Sequence, residues 1–327
     1  MSSDPRNIEE EIERYVPGIN SDNSQHGIEK LQILLVGFAG HGKSSLINST
    51  ICVTKKEKYR NLAGAGYDVE GRTKDRKPFP ITDTIYITDN RGFKFMKVEE
   101  ILEVCAQLRH LRPVGYVEWE KDNLKETVKS IAESYRLPKE LILPVIVHSC
   151  LNSLSADAEK SMIMLIKKCQ EITGIPPTVV ITKIGPPNNR SEQAAVMDRK
   201  FGDMGCTQRI CLENYTENNQ TQSPETDYQF LHFLDVCISE AECVIKLRGD
   251  TDPCKILAKY VADQVKEENE VERERMQRKW ENKEVERERM QREWRENMEA
   301  ELQRKQNRVT ELEEENAKPW YKKCTVM

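Results

Sequence analysis

Apolar and polar positions alternate in blocks over residues 31–247 of this 327-residue chain. Short apolar runs of strand length are separated by longer segments in which apolar residues recur with helical spacing. This alternation is typical of a mainly parallel sheet covered by helices, so the sequence predicts an α/β fold. The predicted strands are Gln32–Gly37, Thr84–Thr88, Leu141–His148, Thr178–Thr182 and Arg209–Leu212, and the predicted helices are one that opens near Lys43, then Val98–Leu111, Asn123–Ser134, Ala156–Thr173 and Asp227–Ile245.

The two ends of the chain have a different pattern. Residues 1–29 are polar, with a candidate short helix through Ile8 to Tyr15, and we interpret them as a lead-in to a domain that spans residues 30–247. Beyond Pro253 the sequence is dominated by Glu, Arg, Lys, Gln and Met, which predicts one long charged helix over residues 255–317. We interpret residues 318–327 as a mobile basic tail.

The predicted long helix contains a repeat. A ten-residue segment that starts at Val271 recurs at Val285, a period of 14 residues or two heptads. Its apolar residues do not fall on the a and d positions of a regular coiled coil. Either this helix docks on the domain, on a second copy or on a partner protein, or it is a solvated spacer held by Glu–Arg pairs worth about 0.2–0.5 kcal/mol each. The stripe that would dock consists of Met276, Trp280, Met290, Trp294, Met298 and Leu302.

Composition limits the partners and the compartment. The formal charge is −5, so there is no overall basic field, and we expect no nucleic-acid partner. The longest apolar run, residues 141–147, is too short to span a bilayer, and no signal peptide opens the chain, so we expect a cytoplasmic protein. The ten cysteines form no C-x-x-C pair, and we expect them to be reduced.

A phosphate-binding motif follows the first predicted strand. Residues 37–44 read Gly-Phe-Ala-Gly-His-Gly-Lys-Ser, and all four fixed positions of a P-loop match, which leaves little room for a chance glycine-rich turn. Backbone N–H groups of such a loop surround a phosphate at a helix N-terminus, Lys43 reaches the β- and γ-phosphates, and the Ser44 hydroxyl ligates Mg²⁺. The sequence therefore predicts a three-layer P-loop NTPase sandwich, with nucleotide contacts at Gly37, Gly40, His41, Gly42, Lys43, Ser44 and Ser45.

A second motif supplies a carboxylate. Asp89-Asn90-Arg91-Gly92 lies at the end of a predicted strand, where Asp89 would assist Mg²⁺ binding and the Gly92 N–H would face the γ-phosphate. The polar loop at residues 59–80 is expected to close over the nucleotide. Thr73 in this loop is the candidate to complete the magnesium coordination, and Thr82 and Thr84 beyond the loop are alternatives. Thr73 is equally well explained as an exposed threonine that does not contact the metal.

Base recognition is expected where the strand Thr178–Thr182 ends. Residues 182–185, Thr-Lys-Ile-Gly, resemble the Asn/Thr-Lys-x-Asp motif with which the small GTPase superfamily reads guanine. Gly185 stands in the place of the aspartate. Loss of the aspartate's contacts with the base would cost about 1.5–3 kcal/mol of guanine discrimination, unless another carboxylate reaches the base. Lys183 can still stack its stem along the base.

These motifs occur in the order found in GTPases. The segment Glu213-Asn214-Tyr215 after the last predicted strand resembles the base-side loop of the interferon-induced protein 44 family, and the resemblance covers roughly residues 30–247. It implies a cytosolic domain that binds GTP or GDP with Mg²⁺, with Asn214 at the base side, and a link to innate immune responses. Guanylate-binding proteins, which are prenylated and carry a long helical tail, offer a looser analogy.

The residue that follows Gly92 bears on the rate of GTP hydrolysis. Phe93 follows Gly92 where many GTPases have a glutamine that orients the attacking water, so we expect slow hydrolysis in which Lys43, with Thr73 as a further candidate, stabilises the transition state. A nucleotide-binding scaffold without turnover and an adenine-nucleotide hydrolase remain alternatives. His41 either contacts phosphate or acts across a dimer, or only packs, and we interpret His110 and His148 as structural.

The last four residues match a prenylation box, and a chance match of so short a pattern is the alternative. Cys324-Thr325-Val326-Met327 predicts farnesylation of Cys324, and the basic and aromatic residues just before it would support binding to an anionic membrane. A homodimer would double the anchor. The leading interpretation is thus a GTP-binding switch or self-associating protein attached peripherally to the cytosolic face of a membrane.

Overall fold

The computed structural model describes residues 5–18, 27–64, 75–110, 112, 115–116, 139–185, 191–247 and 253–317. The chain divides into two units, one ending at Ala258 and the other beginning at Lys259. The predicted helix Asn123–Ser134, Thr73 and the tail with Cys324 lie outside the described residues. None of the helices in the described ranges is long and apolar enough to cross a membrane.

The first unit is built on a seven-stranded sheet with the order β4-β2-β3-β1-β5-β6-β7. Strands β1, β3, β5, β6 and β7 are parallel to one another, while β2 runs antiparallel to both β3 and β4. The central strand β1 pairs on both sides, with Leu31 opposite Ile85 and Leu141. The strands are β1 Lys30–Val36, β2 Asp75–Pro80, β3 Ile85–Asp89, β4 Gly115–Tyr116, β5 Glu140–Ser149, β6 Thr178–Thr182 and β7 Arg209–Cys211.

Helices cover both faces of this sheet. One apolar core joins α1, α2 and α6 to one face, and a second core joins α3, α4 and α5 to the other. Side chains alternate between the faces of a strand, and in β1 Ile33 enters the first core and Leu34 the second. The predicted α/β class with three layers is therefore confirmed. The helices are α1 Pro5–Arg14, α2 Lys43–Thr54, α3 Val98–Leu108, α4 Ala156–Thr173, α5 Ser191–Asp203, α6 Pro224–Leu247 and α7 Pro253–Ala317.

Three described elements of the first unit were missing from the sequence prediction: β2, β4 and α5. Strand β2 falls in the polar segment 59–80 that was expected to be a loop, and it contains Pro78 and Pro80, which cannot donate to a ladder. The strand forms nevertheless, since its neighbours accept it in antiparallel pairing near the edge of the sheet. Strand β4 has only two residues, which is too few for a sequence pattern.

The N-terminal segment contributes to the first core. Ile8, Ile12 and Tyr15 are buried with the helix α6 residues, and the Tyr15 hydroxyl donates a hydrogen bond to Glu242 Oε1 at 2.8 Å. Burial, together with the hydrogen bond to that carboxylate, raises the pKa of Tyr15. Helix α1 thus adds apolar contacts beyond those expected of a polar lead-in.

The long charged helix is present as α7, which has 65 residues and a length of about 100 Å. Among its described side chains, Trp280 and Trp294 are exposed, as is the rest of the Met/Trp stripe. Glu–Arg pairs four residues apart occur on its surface, with Arg278 Nη2 at 3.4 Å from Glu274 Oε2. Such exposed pairs stabilise the helix only slightly.

Candidate nucleotide-binding site

The P-loop connects β1 to α2 and is shaped by its glycines. Gly37, Gly40 and Gly42 have φ of 152°, 75° and 93°. A Cβ at Gly37 would lie 2.2 Å from the carbonyl oxygen of Val147 on β5, so no side chain fits there. Gly42 is the N-cap of α2 and offers no side-chain acceptor, which leaves the first N–H groups of the helix available to an anion.

Lys43 is buried beneath this loop. Its Nζ donates hydrogen bonds to the carbonyl oxygens of Gly37 at 3.1 Å and Phe38 at 2.9 Å. Burial lowers the pKa of Lys43 to about 8, while the Asp89 carboxylate acts in the opposite direction. The ammonium group is therefore held by neutral carbonyls in a setting where a phosphate would stabilise its charge.

The predicted magnesium ligands meet at the end of β3. Ser44 Oγ donates to Asp89 Oδ2 at 2.8 Å, and the backbone N–H of Asn90 donates to Asp89 Oδ1 at 3.1 Å. Asp89 is buried. A hydroxyl and a carboxylate in contact at a P-loop form the donor set that Mg²⁺ prefers. Thr82 and Thr84 precede β3, at the opposite end of the strand from Asp89.

The segment after Asp89 packs on the P-loop. The Phe93 N–H donates to the Gly37 carbonyl at 3.0 Å, and the Ala39 N–H donates to the Phe93 carbonyl at 3.1 Å. A Cβ at Gly92 would lie 2.6 Å from the Ala39 backbone and 2.9 Å from Lys43 Nζ. Gly92 thus lies beside the lysine ammonium, in the region expected for a γ-phosphate.

Phe93 itself points into the protein. Its side chain is 2% exposed and belongs to the second core, and its ring lies edge-on to Phe38 with centroids 6.2 Å apart. A buried aromatic ring offers no donor or acceptor to a water molecule. Slow intrinsic hydrolysis stays a prediction.

Three polar side chains hold the P-loop from the side of the predicted base site. Thr182 Oγ1 donates to the His41 carbonyl at 2.8 Å, Lys183 Nζ donates to the Gly40 carbonyl at 2.8 Å, and Asn214 Nδ2 donates to the Gly42 carbonyl at 3.1 Å. These side chains lie at or just beyond the carboxyl ends of β6 and β7, next to the P-loop. They fix the loop relative to the strand ends where a base would bind.

His41 packs inside the fold. Its Nδ1 accepts the Ser149 N–H at 3.3 Å, and its ring lies edge-on to that of His148 with centroids 4.7 Å apart. Burial lowers the pKa of His41 to about 2, and the neighbouring His148, Lys43 and Lys183 act in the same direction. The imidazole is therefore neutral at pH 7, and this geometry favours packing over contact with phosphate.

The structure also adds residues that had no predicted role. Asn90 Nδ2 donates to Gln107 Oε1 at 2.7 Å, Gln107 Nε2 donates to Glu103 Oε1 at 3.2 Å, and Arg112 Nε donates to Glu103 Oε2 at 2.8 Å. Burial raises the pKa of Glu103, against the effect of Arg112. This chain of hydrogen bonds ties the residue after Asp89 to α3. Asn90 occupies a position that the Asp89–Gly92 motif leaves open, and Glu103, Gln107 and Arg112 belong to no short motif.

Glu213 is the second addition. Its Oε2 accepts the Gly185 N–H at 2.7 Å, and a Cβ at Gly185 would lie 2.9 Å from Glu213 Cγ. The carboxylate therefore lies against the position that lacks the guanine-reading aspartate. The sequence signal was present, because Glu213 directly precedes the predicted base-side residue Asn214.

Comparison with known proteins adds little. Neither a protein-family model nor a curated protein matches this chain. Among solved structures, a protein of Thermus thermophilus is 14% identical over 70% of this chain, with a TM-score of 0.31, and the match covers only 34% of that protein. The putative nucleolar GTP-binding protein 1 of Plasmodium falciparum is 15% identical over 78% of this chain and 96% of its own length, with a TM-score of 0.26. Both likenesses are too weak to bear on function, and the resemblance to the interferon-induced protein 44 family rests on the motifs alone.

Proposed function

We propose that this chain binds GTP and GDP together with Mg²⁺ and hydrolyses GTP slowly, as a conformational switch. The contact between Ser44 Oγ and Asp89 Oδ2, beside the buried Lys43, carries the proposal. A hydroxyl, a carboxylate and an ammonium converge at the uncapped N-terminus of α2. That combination suits a magnesium-bound polyphosphate better than any other ligand class.

The residues of this site fit both the metal and the phosphates. Mg²⁺ would be held through Ser44 and Asp89, and when bound it neutralises phosphate charge. Lys43 would exchange its two carbonyl partners for phosphate oxygens, which restores the charge stabilisation that burial removes. Thr182, Lys183 and Asn214 keep the P-loop in place through its carbonyl groups.

The packing of Gly92 and Phe93 supports the proposed switch. Gly92 lies beside Lys43 and two backbone hydrogen bonds join Phe93 to the P-loop, so we infer that a γ-phosphate bound by Lys43 shifts this segment. A diphosphate does not. GTP and GDP therefore favour different positions of residues 92–93, and the Asn90–Gln107 hydrogen bond offers a connection to α3.

A scaffold that binds nucleotide without turnover is the second candidate. The burial of Phe93 favours it, because the side chain that follows Gly92 cannot orient water.

In either case we propose peripheral attachment to a cytosolic membrane face through a farnesyl group on Cys324, self-association or partner binding through α7, and a role in innate immune responses. These elements derive from the sequence. Cell fractionation of the chain and of Cys324→Ser tests the attachment, and equal distribution of the two would overturn it.

Equilibrium binding of fluorescent GTP, GDP and ATP analogues to the full chain tests the central proposal. Binding is expected to need Mg²⁺ and to be lost in Lys43→Ala, while Lys58→Ala, which removes an exposed lysine just beyond α2, serves as the matched control. Asp89→Asn should weaken binding of the triphosphate and its magnesium dependence. Binding that is equal in Lys43→Ala and in the unmodified chain would refute a P-loop nucleotide site.

A further inference from the structure

We propose that Glu213 selects guanine, with its carboxylate replacing the aspartate that is missing at position 185. This inference rests on the proposed nucleotide-binding function and adds a specificity residue to that site. The sequence suggested a weakened base site, because Gly185 offers no side chain. The structure instead brings a carboxylate to the same position from the segment that follows β7.

The space around Gly185 supports an exchange of side chains. A Cβ built at Gly185 would lie 2.9 Å from Glu213 Cγ, 3.1 Å from Cδ and 3.2 Å from Oε2. An aspartate at 185 would therefore overlap the glutamate side chain and repel its charge. Gly185 does not have a positive φ, so its backbone conformation does not require glycine. The glycine is explained by the room that Glu213 needs.

Both segments that form the Gly185–Glu213 contact are anchored to the P-loop. Asn214, the next residue, donates to the Gly42 carbonyl, and Lys183, two residues before Gly185, donates to the Gly40 carbonyl. Both anchors are P-loop carbonyls. The carboxylate is thus held at a set distance from the phosphate site, at the carboxyl ends of β6 and β7, where a base attached to that phosphate would lie.

The chemistry of the group matches one base. A carboxylate only accepts hydrogen bonds and has about four acceptor positions, of which the Gly185 N–H uses one on Oε2. Guanine presents two donors on one edge, the N1–H and the N2 amine. Adenine presents an acceptor at N1 and no amine at C2, so its lone pair would face the carboxylate. Losing charge-assisted bonds of this kind weakens binding by about 10- to 100-fold.

Glu213→Gln tests the assignment. Glutamine has nearly the same shape and can still accept the Gly185 N–H, but it offers a donor in place of one acceptor. We expect GTP affinity to fall about 10- to 100-fold and xanthosine triphosphate affinity to rise, because xanthine has a carbonyl where guanine has the C2 amine. Glu217→Gln, on an exposed glutamate of the same segment, is the control and should leave the order of affinities unchanged.

Two further measurements keep the outcome clear. In Gly185→Asp combined with Glu213→Ala, the carboxylate returns to position 185 and guanine preference should return with it. Inosine triphosphate lacks only the C2 amine of GTP and should bind the unmodified chain about 10-fold more weakly than GTP does. This measurement does not depend on whether a variant folds. Equal binding of GTP and inosine triphosphate, or an unchanged preference in Glu213→Gln, would overturn the role of Glu213. Binding that does not depend on Lys43 would instead refute the nucleotide site itself.

Discussion

Replacing Lys43 by Met is expected to stabilise the nucleotide-free protein. Burial lowers the pKa of Lys43 from 10.5 to about 8, and one pKa unit corresponds to about 1.4 kcal/mol. Keeping this lysine charged in the folded state at pH 7 therefore costs about 3 kcal/mol. Methionine retains the apolar stem but loses two hydrogen bonds to carbonyls, which offsets about 2 kcal/mol. The free energy of unfolding should rise by about 1 kcal/mol.

The stability difference between Lys43→Met and the unmodified chain should depend on pH. Between pH 8 and 10.5 the unfolded chain keeps the Lys43 proton that the folded chain has lost. Because the unfolded state then binds more protons, this lysine makes the stability of the unmodified protein increase with pH across that window. The advantage of Lys43→Met should accordingly shrink as the pH rises from 8 to 10.5.

Urea denaturation of both proteins at several pH values, without nucleotide, measures the effect. Lys58→Met is the matched control and should show neither the gain nor the pH dependence. Addition of Mg²⁺ and GTP at about 100 times the dissociation constant should stabilise the unmodified chain by about 2.7 kcal/mol and leave Lys43→Met unchanged. A variant that is less stable than the unmodified chain at about pH 7, or a difference that does not vary with pH, would show that the buried charge of Lys43 does not destabilise the fold.

Three further predictions concern glycines and a helix cap. Gly37→Ala places a Cβ 2.2 Å from a backbone carbonyl oxygen of β5 and should lower the free energy of unfolding by about 3 kcal/mol or more. Gly40→Ala places its Cβ in open space at φ of 75° and should lower that free energy by only about 1 kcal/mol. Equal losses of the two variants in urea denaturation would contradict this. Gly92→Ala puts a Cβ 2.6 Å from the backbone of Ala39, so hydrogen exchange at the Ala39 amide should accelerate at least about tenfold through loss of its hydrogen bond, and unchanged protection would argue against the contact. Ser155→Ala removes the side-chain oxygen that accepts a backbone N–H at 3.2 Å at the start of α4 and should reduce stability by about 1 kcal/mol; a thermal melt that does not change would show that the cap is unimportant.

Several features of the fold and of the site could be predicted from short-range patterns along the chain. Strand β6 and helix α4 match their predicted bounds, because β6 is a continuous apolar run and α4 lies between a serine N-cap and Gly174, which has φ of 85°. The P-loop was equally visible, since its glycines, Lys43 and Ser44 lie within eight consecutive residues of the chain. The place of Asp89 at the end of β3 could also be predicted, because carboxyl ends of parallel strands meet at one edge of a sheet.

Other features depend on residues that are distant in the chain, and only the folded structure brings those residues together. Strand β2 forms despite its prolines because two neighbouring strands pair with it, and α1 has an apolar face that α6 and the rest of the first core cover. The sequence showed that position 185 lacks a carboxylate, but Glu213 lies 28 residues further on and reaches it only because β6 and β7 are adjacent. A sequence pattern reports local spacing, whereas the contents of a site are fixed by which strand ends the fold brings together.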